Sequence, residues 1–181
     1  MILRGRDVLR LPVITRDSGQ KVGHVEDLIV DRQGSHVLGI VVSEKGLLGG
    51  SSVVAWPGIL VIGLDSVIVE SEAALAKASE LPEIDEVLQD DFVLQGIRVQ
   101  TTAARDLGRI ENFFFDGETG EIPGYELVGG LNEQQPSGRA FMPTHPSFEA
   151  GKDYAFVDPS VAETLEDLAE ALKKRRKAGD A

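Results

Sequence analysis

Lys21-Val22-Gly23-His24-Val25-Glu26-Asp27-Leu28-Ile29-Val30-Asp31 returns 85 positions later as Asp106-Leu107-Gly108-Arg109-Ile110-Glu111-Asn112-Phe113-Phe114-Phe115-Asp116. Gly, Glu and the final Asp recur in register, and the apolar positions Val22, Val25, Leu28 and Val30 are answered by Leu107, Ile110, Phe113 and Phe115. Both series step by three, three and two. A flat strand steps by two throughout, so each segment is expected to be a strongly bent strand with a bulge near Gly23 or Gly108, where a missing side chain permits the kink.

The repeat extends in both directions. Asp31-Arg32-Gln33-Gly34 and Asp116-Gly117-Glu118-Thr119-Gly120 are hairpin turns, since Gly and Asp tolerate positive φ. Third strands follow at 36–42 and 122–128, with Gly39 meeting Gly124. At the same offset Ala55 meets Ala140 and Trp56 meets Phe141, after which an insertion moves the offset to 88, where Gly63–Val69 meets Gly151–Val157. Further strands are expected at 52–57, 66–70, 138–142 and 154–157. Between the copies, Glu70–Pro82 is Ala-rich and reads as a short helix stopped by the proline, with an added turn at 83–88. At the end, Ser160-Val161-Ala162-Glu163 forms a capping box, and Val161, Leu165, Leu168, Ala169 and Leu172 share one helical face.

Composition narrows the function classes. With 18 basic and 30 acidic residues in 181 the chain carries −12, so direct nucleic-acid binding is disfavoured by long-range repulsion. There is no Cys, which removes disulfides, thiolate nucleophiles, iron–sulfur clusters and zinc ribbons. The apolar stretches are too short for a transmembrane helix, and Met1–Asp7 carries charge where a secretory signal would need an apolar core, so a cytoplasmic location is expected.

No residue set points to catalysis, cofactor or metal. His24 and His36 become Arg109 and Glu121 in the second copy, so with His145 they form no repeated site. Gly46-Leu47-Leu48-Gly49-Gly50-Ser51-Ser52 lacks the Lys of a phosphate loop and leads into a strand. The acidic turn at Asp116 lacks calcium-loop ligand spacing. Glu26, Glu111, Asp31 and Asp116 recur, which suits a structural job better than a catalytic pair. The interface candidates are apolar. Ile29 and Phe114, the middle residues of their triplets, should point outward or toward the other copy; Leu47 and Leu48 occupy a loop tip; Trp56 and Phe141 occupy equivalent places. Gly23, Asp31, Gly39, Gly108, Asp116 and Gly124 are the structural turn and bulge positions. The tail Lys173–Lys177 complements a helix C-terminus or reaches RNA or lipid, and leaves thirteen basic against 30 acidic residues elsewhere, or −17.

The pattern Val13-Ile14-Thr15, Asp17-Ser18-Gly19, Gly23 to Asp31, Gly39-Ile40-Val41-Val42 and Ile62-Gly63-Leu64-Asp65-Ser66-Val67-Ile68-Val69 resembles the PRC-barrel, the small β-barrel of the photosynthetic reaction centre H-subunit cytoplasmic domain. In the second copy Ala103-Ala104-Arg105 stands where a Gly turn is usual. The resemblance implies a non-enzymatic protein-interaction module, a type also found as the C-terminal domain of a ribosome-maturation factor. The chain thus looks like a free-standing tandem PRC-barrel protein of a bacterium or archaeon.

The expected fold is therefore mostly β. Two small PRC-like barrels (1–71 and 92–158) are joined by a helical linker (72–91) and followed by an amphipathic helix and basic tail (159–181). The expected function is protein binding or scaffolding through apolar barrel surfaces, with a protein partner and no cofactor. The terminal helix would bury its stripe against a barrel or against a second copy in a homodimer. The alternative is a ribosome-assembly or RNA-metabolism factor that docks on a ribosomal protein.

Overall fold

The computed structural model describes residues 1–44, 51–130 and 136–179. The protein is mostly β, with a curled half-barrel sheet and a second sheet. The first sheet contains β2 (Pro12–Thr15), β3 (Lys21–Val30), β4 (Val37–Glu44), β5 (Ser51–Ala55), β6 (Ile59–Ile62) and β7 (Val67–Val69), in the order β5-β4-β3-β2-β7-β6. The second is eight-stranded; six of its strands, β8 (Arg98–Thr101), β9 (Asp106–Asp116), β10 (Gly124–Val128), β11 (Arg139–Pro143), β12 (Glu149–Ala150) and β13 (Tyr154–Val157), run in the order β11-β10-β9-β8-β13-β12. The two orders correspond strand for strand, down to the parallel pairs β2/β7 and β8/β13 in otherwise antiparallel ladders.

The bend read from the spacing is built from bulges at equivalent positions. Val13 pairs with Gly23 and Ile14 with Lys21, which leaves Val22 over; Val99 pairs with Gly108 and Gln100 with Asp106, which leaves Leu107 over. Further along, Glu26 and Glu111 are the extra residues, and they create the steps of three from Val25 to Leu28 and from Ile110 to Phe113. In the turn before each bent strand, Gly19 has φ +65° and its equivalent Ala104 has φ +62°. The second copy therefore makes the same left-handed turn with a residue that pays for its Cβ.

The sheets share one core. Val13, Ile40, Val54 and Val67 of the first lie in the same buried cluster as Leu107, Phe113, Phe115 and Leu127 of the second. Burying each phenylalanine fully is worth about 1.5–3 kcal/mol. The N-terminus also crosses over. β1 (Ile2–Arg4) pairs with β9, Leu3 opposite Phe115, and α1 (Gly5–Val8) follows it there, with Gly5 against the Phe113 ring.

Three expectations change. The linker does not form a helix before Pro82: Ala76 bridges to Val53, which holds that segment extended between two 3-10 turns. The helix α2 (Pro82–Gln89) instead starts at the proline, whose missing N–H costs nothing in a first helical turn. At the other end, 159–164 is a 3-10 turn capped by Asp158, and β14 (Glu166–Asp167) pairs with β11. The helix α3 (Leu168–Gly179) begins only after Asp167, whose Oδ1 accepts from the amides of Ala169 (3.0 Å) and Glu170 (3.4 Å). Finally, Val42 pairs with Ser52 and its equivalent Leu127 with Ala140, so the offset of 88 already holds in β11. The counterpart of Phe141 is Val53, not Trp56, because the three extra residues sit before β11.

Ala104→Gly should raise unfolding stability by about 0.5–1 kcal/mol by relieving the left-handed alanine. Urea denaturation of the two proteins at neutral pH measures it; equal midpoints would show that the turn is unstrained.

Candidate protein-interaction surfaces

The turns that follow the bent strands do more than reverse the chain. Asp31 Oδ1 accepts from the amides of Ser35 (2.6 Å) and His36 (3.1 Å), and Asp116 Oδ1 from those of Glu118 (2.8 Å) and Thr119 (3.1 Å). The recurrence of these aspartates is thus turn chemistry. Desolvation works to raise the Asp116 carboxyl, but those amides and the N-terminal ammonium 3.2 Å away hold it below its ordinary value. So fixed, the turns meet each other. Val37 N–H donates to Gly120 O and Ile122 N–H to Ser35 O, both at 2.8 Å, around a bridge between His36 and Glu121. Each partner lies 85 positions from its counterpart, so the contact relates equivalent residues as a local two-fold axis does.

The interface candidates lie on both sides of this interlock. Trp56 is half-buried, edge-on to Phe115 with ring centroids 6.1 Å apart, and it covers Gly120, where a Cβ would come within 2.9 Å of the indole. Ile29 and Phe114 do project from the opposite side of their strands, but each is covered by a helix of this chain. Ile29 and Val53 pack with Ile84 and Val87 of α2, and Phe114 and Phe141 with Leu168 and Ala171 of α3. Ile29, Phe114 and Phe141 are 3%, 4% and 0% exposed, which closes them to a partner while the helices stay in place. Leu47 and Leu48 lie outside the described residues. Gly23, Gly39 and Gly124 are each pressed against a backbone carbonyl of the neighbouring strand, from Ser43, Val54 and Met142, and Gly108 has φ +103° at its bulge. The histidines stay apart: His24 contacts Lys21, His36 sits in the interlock, and His145 Nδ1 lies 2.7 Å from Ser147 Oγ.

Under α3 lies a group that the sequence did not single out. Glu126, on β10, is fully buried, and its carboxylate is held between the guanidinium groups of Arg4 and Arg139. Arg4 also lies over the Phe114 ring at 5.8 Å, and Arg175 over Phe141 at 3.7 Å, while Lys174 Nζ bonds Glu166 at 2.8 Å. Part of the basic tail is thereby tied to its own chain. Beside Glu126, Asn112 Oδ1 accepts from the amides of Arg6 (3.2 Å) and Phe113 (2.9 Å). The first copy has Asp27 there, whose Oδ1 accepts from Leu28 N at 2.8 Å; desolvation, reinforced by the charge of Glu26, keeps that carboxyl above its ordinary 3.8. A glutamate inside the otherwise apolar Tyr125-Glu126-Leu127 run was the only available signal, and nothing in the spacing ties it to Arg4 or Arg139.

Two of the open surfaces among the described residues carry exposed apolar side chains in groups. One is a groove of about 790 Å³ between the segment after α2 and the β12–β13 turn, lined by Asp90, Asp91, Val93, Lys152, Asp153 and Tyr154 among others. Val93 and Tyr154 are exposed there, with Phe156 two residues along β13. The other is the outer edge of β6, with Leu60, Val61 and Leu64 exposed. Among the described residues, no helix is long and apolar enough to cross a membrane.

The first sheet, its parallel β2/β7 pair and its bulged β2/β3 ladder lie within a segment of known kind. Residues 1–79 match the PRC-barrel domain family. No curated protein matches the chain. The PRC-barrel segment includes β1 and α1, so its first eight residues serve the sheet that lies outside the match.

Arg4→Met should cost about 3–5 kcal/mol, since it leaves Glu126 buried with one of its two cations gone. Combining it with Glu126→Gln should recover a large part of that loss, and chemical denaturation of the four proteins closes the cycle. Separately, Asp27→Asn, which copies Asn112, should stabilise the protein slightly at pH 7, by less than about 1 kcal/mol for so exposed a position. Because the folded carboxyl titrates above the unfolded one, its charge is a cost at neutral pH that wild type sheds as pH falls. The gain should therefore close below pH 3.8, and thermal melts of both proteins from pH 7 to pH 3 follow it.

Proposed function

We propose that the protein is a non-enzymatic binding or scaffold module, a tandem of two PRC-type barrels that acts in the cytoplasm on a protein partner through apolar surface. The observation that carries this reading is the groove beside β13. It presents Val93 and Tyr154 at 53% and 43% exposure within a rim that mixes Asp90, Asp91 and Asp153 with Arg32, Arg98 and Lys152, on an interlocked frame where Ile29, Phe114 and Phe141 are covered by its own helices. Exposed aromatic and aliphatic groups with a polar rim are the makings of an interface core. The presence of a PRC-barrel domain, a module that often mediates protein interactions, supports the same reading.

Charge favours a basic partner. At −12 the body attracts a cationic protein and repels nucleic acid, which also suits docking on a ribosomal protein. The test is capture of the tagged full chain from its host's lysate with and without nuclease, beside Tyr154→Glu and Val93→Glu variants. Enrichment of one or two proteins that resists nuclease and falls at least about tenfold in the variants is the expected result. Ribosomal proteins among them would select the second form of the reading. Association that nuclease abolishes, or that ignores both substitutions, would refute the groove as the binding surface.

A further inference from the structure

The two copies cover their outer faces with helices of different quality. In the first, α2 lays Ile84 and Val87 on Ile29 and Val53, aliphatic on aliphatic. In the second, α3 meets Phe114 and Phe141 with Leu168 and Ala171 buried and Leu172 half-buried, while Ala169, Glu170, Lys173 and Lys174 are exposed. Beneath it Glu126 lies between Arg4 and Arg139. Asn112, two residues before Phe114 and so on the same side of β9, holds a buried Nδ2 that no acceptor meets, and the apolar anchors of α3 offer it none. A face that carries charge loses less on meeting water than an aliphatic one does. Two further contacts hold the helix. Lys174 Nζ, on a side chain 67% exposed, bonds Glu166 of β14 at 2.8 Å, and Arg175 lies over the Phe141 ring at 3.7 Å. An exposed ion pair contributes little, and a segment with few buried contacts opens before the sheet around it.

The seating of α3 shows what fits this face. Leu168, Ala171, Leu172 and Arg175 fall at i, i+3, i+4 and i+7, three apolar anchors followed by a guanidinium that stacks on an aromatic ring. Arg175 belongs to the run Lys173–Lys177, and outside those five cations the chain stands at −17. Charge therefore draws a cationic helix to this body and repels an acidic one. We infer that the face of β9, β10 and β11 under α3 is a groove for a basic amphipathic helix of a partner protein, and that α3 is its resident occupant, which such a helix displaces. The incoming helix repeats the contacts of the resident one, so the two compete for a single site. Arg4, Glu126 and Arg139 are carried by β1, β10 and β11, so the floor of the groove is built without the helix. This groove is separate from the one beside β13, and either can fail without the other.

The test uses the full chain and a fluorescein-labelled peptide with the sequence of residues 166–179. In hydrogen exchange of the full chain, the amides of α3 should exchange at least about tenfold faster than those of β10 and α2. By fluorescence anisotropy the peptide should bind wild type weakly. It should bind at least about tenfold more tightly to the full chain carrying Lys174→Ala and Arg175→Ala, whose resident helix is loosened. Neither side chain is buried, so that variant should keep a melting temperature close to wild type, which certifies the fold. A peptide with Leu172→Glu should lose binding to both proteins. Exchange of α3 at the rate of β10, a peptide that neither protein binds, one that binds both alike, or one indifferent to Leu172→Glu would each overturn the inference.

Discussion

Two amide hydrogen bonds, Val37 to Gly120 and Ile122 to Ser35, hold the two copies together at their turns. They join the turns of the two copies around His36 and Glu121, and they exist because each turn is first fixed by its own aspartate. A hairpin turn normally ends in solvent. Here each finds in the other the donor and acceptor that water would otherwise supply, so the first sheet's Val37 and the second sheet's Ile122 enter one buried cluster. Trp56 seals the contact from one side. Tyr125 works from the other, its hydroxyl donating to Gly34 O at 2.6 Å, with burial keeping the phenol far above its ordinary range and hence neutral.

With the copies locked at their turns, their outer faces are left to be covered, and each is covered locally by the helix that follows its own sheet. α2 lies on Ile29 and Val53, α3 on Phe114 and Phe141. The two solutions differ in polarity. The first is an apolar cluster of aliphatic side chains with Phe92 at its margin, whereas the second encloses Glu126 with Arg4 and Arg139 and adds Arg175 over Phe141. Arg4 comes from β1 of the first copy's own chain segment, which makes the N-terminus part of the second sheet's charge balance. A buried carboxylate between two cations is sensitive to the loss of either, so this face tolerates little rearrangement.

Much of this was legible in the residues. The repeat of Gly23–Asp31 at Gly108–Asp116 predicted two matching sets of strands, and the three-three-two spacing predicted the bulge beside Gly23 and Gly108, but not the second one at Glu26 and Glu111. Alternation correctly turned Ile29 and Phe114 to the opposite side of their strands. It had no means of showing what lies there, because coverage by α2 or α3 is set by where the chain returns. Helix ends were misjudged for a related reason. The Ala-rich linker has the propensity for a helix, but Ala76 is drawn into a bridge with Val53, and the capping box at Ser160–Glu163 lost to the pairing of Glu166 and Asp167 with β11.

The local geometry that recurs, its bends, its turns and the residues that stabilise them, is readable from the residues because contacts between near neighbours in the chain set it. Which apolar residues are surface is fixed by the folded chain as a whole. Ile29, Phe114 and Phe141 are as apolar as Val61, Leu64 and Tyr154, yet the former are closed and the latter open. That division depends on contacts between residues distant in the chain: α2 onto Ile29, α3 onto Phe141, and, across 85 or more positions, β1 onto β9 and turn against turn. No periodicity in the sequence encodes which of two apolar faces another part of the chain will reach.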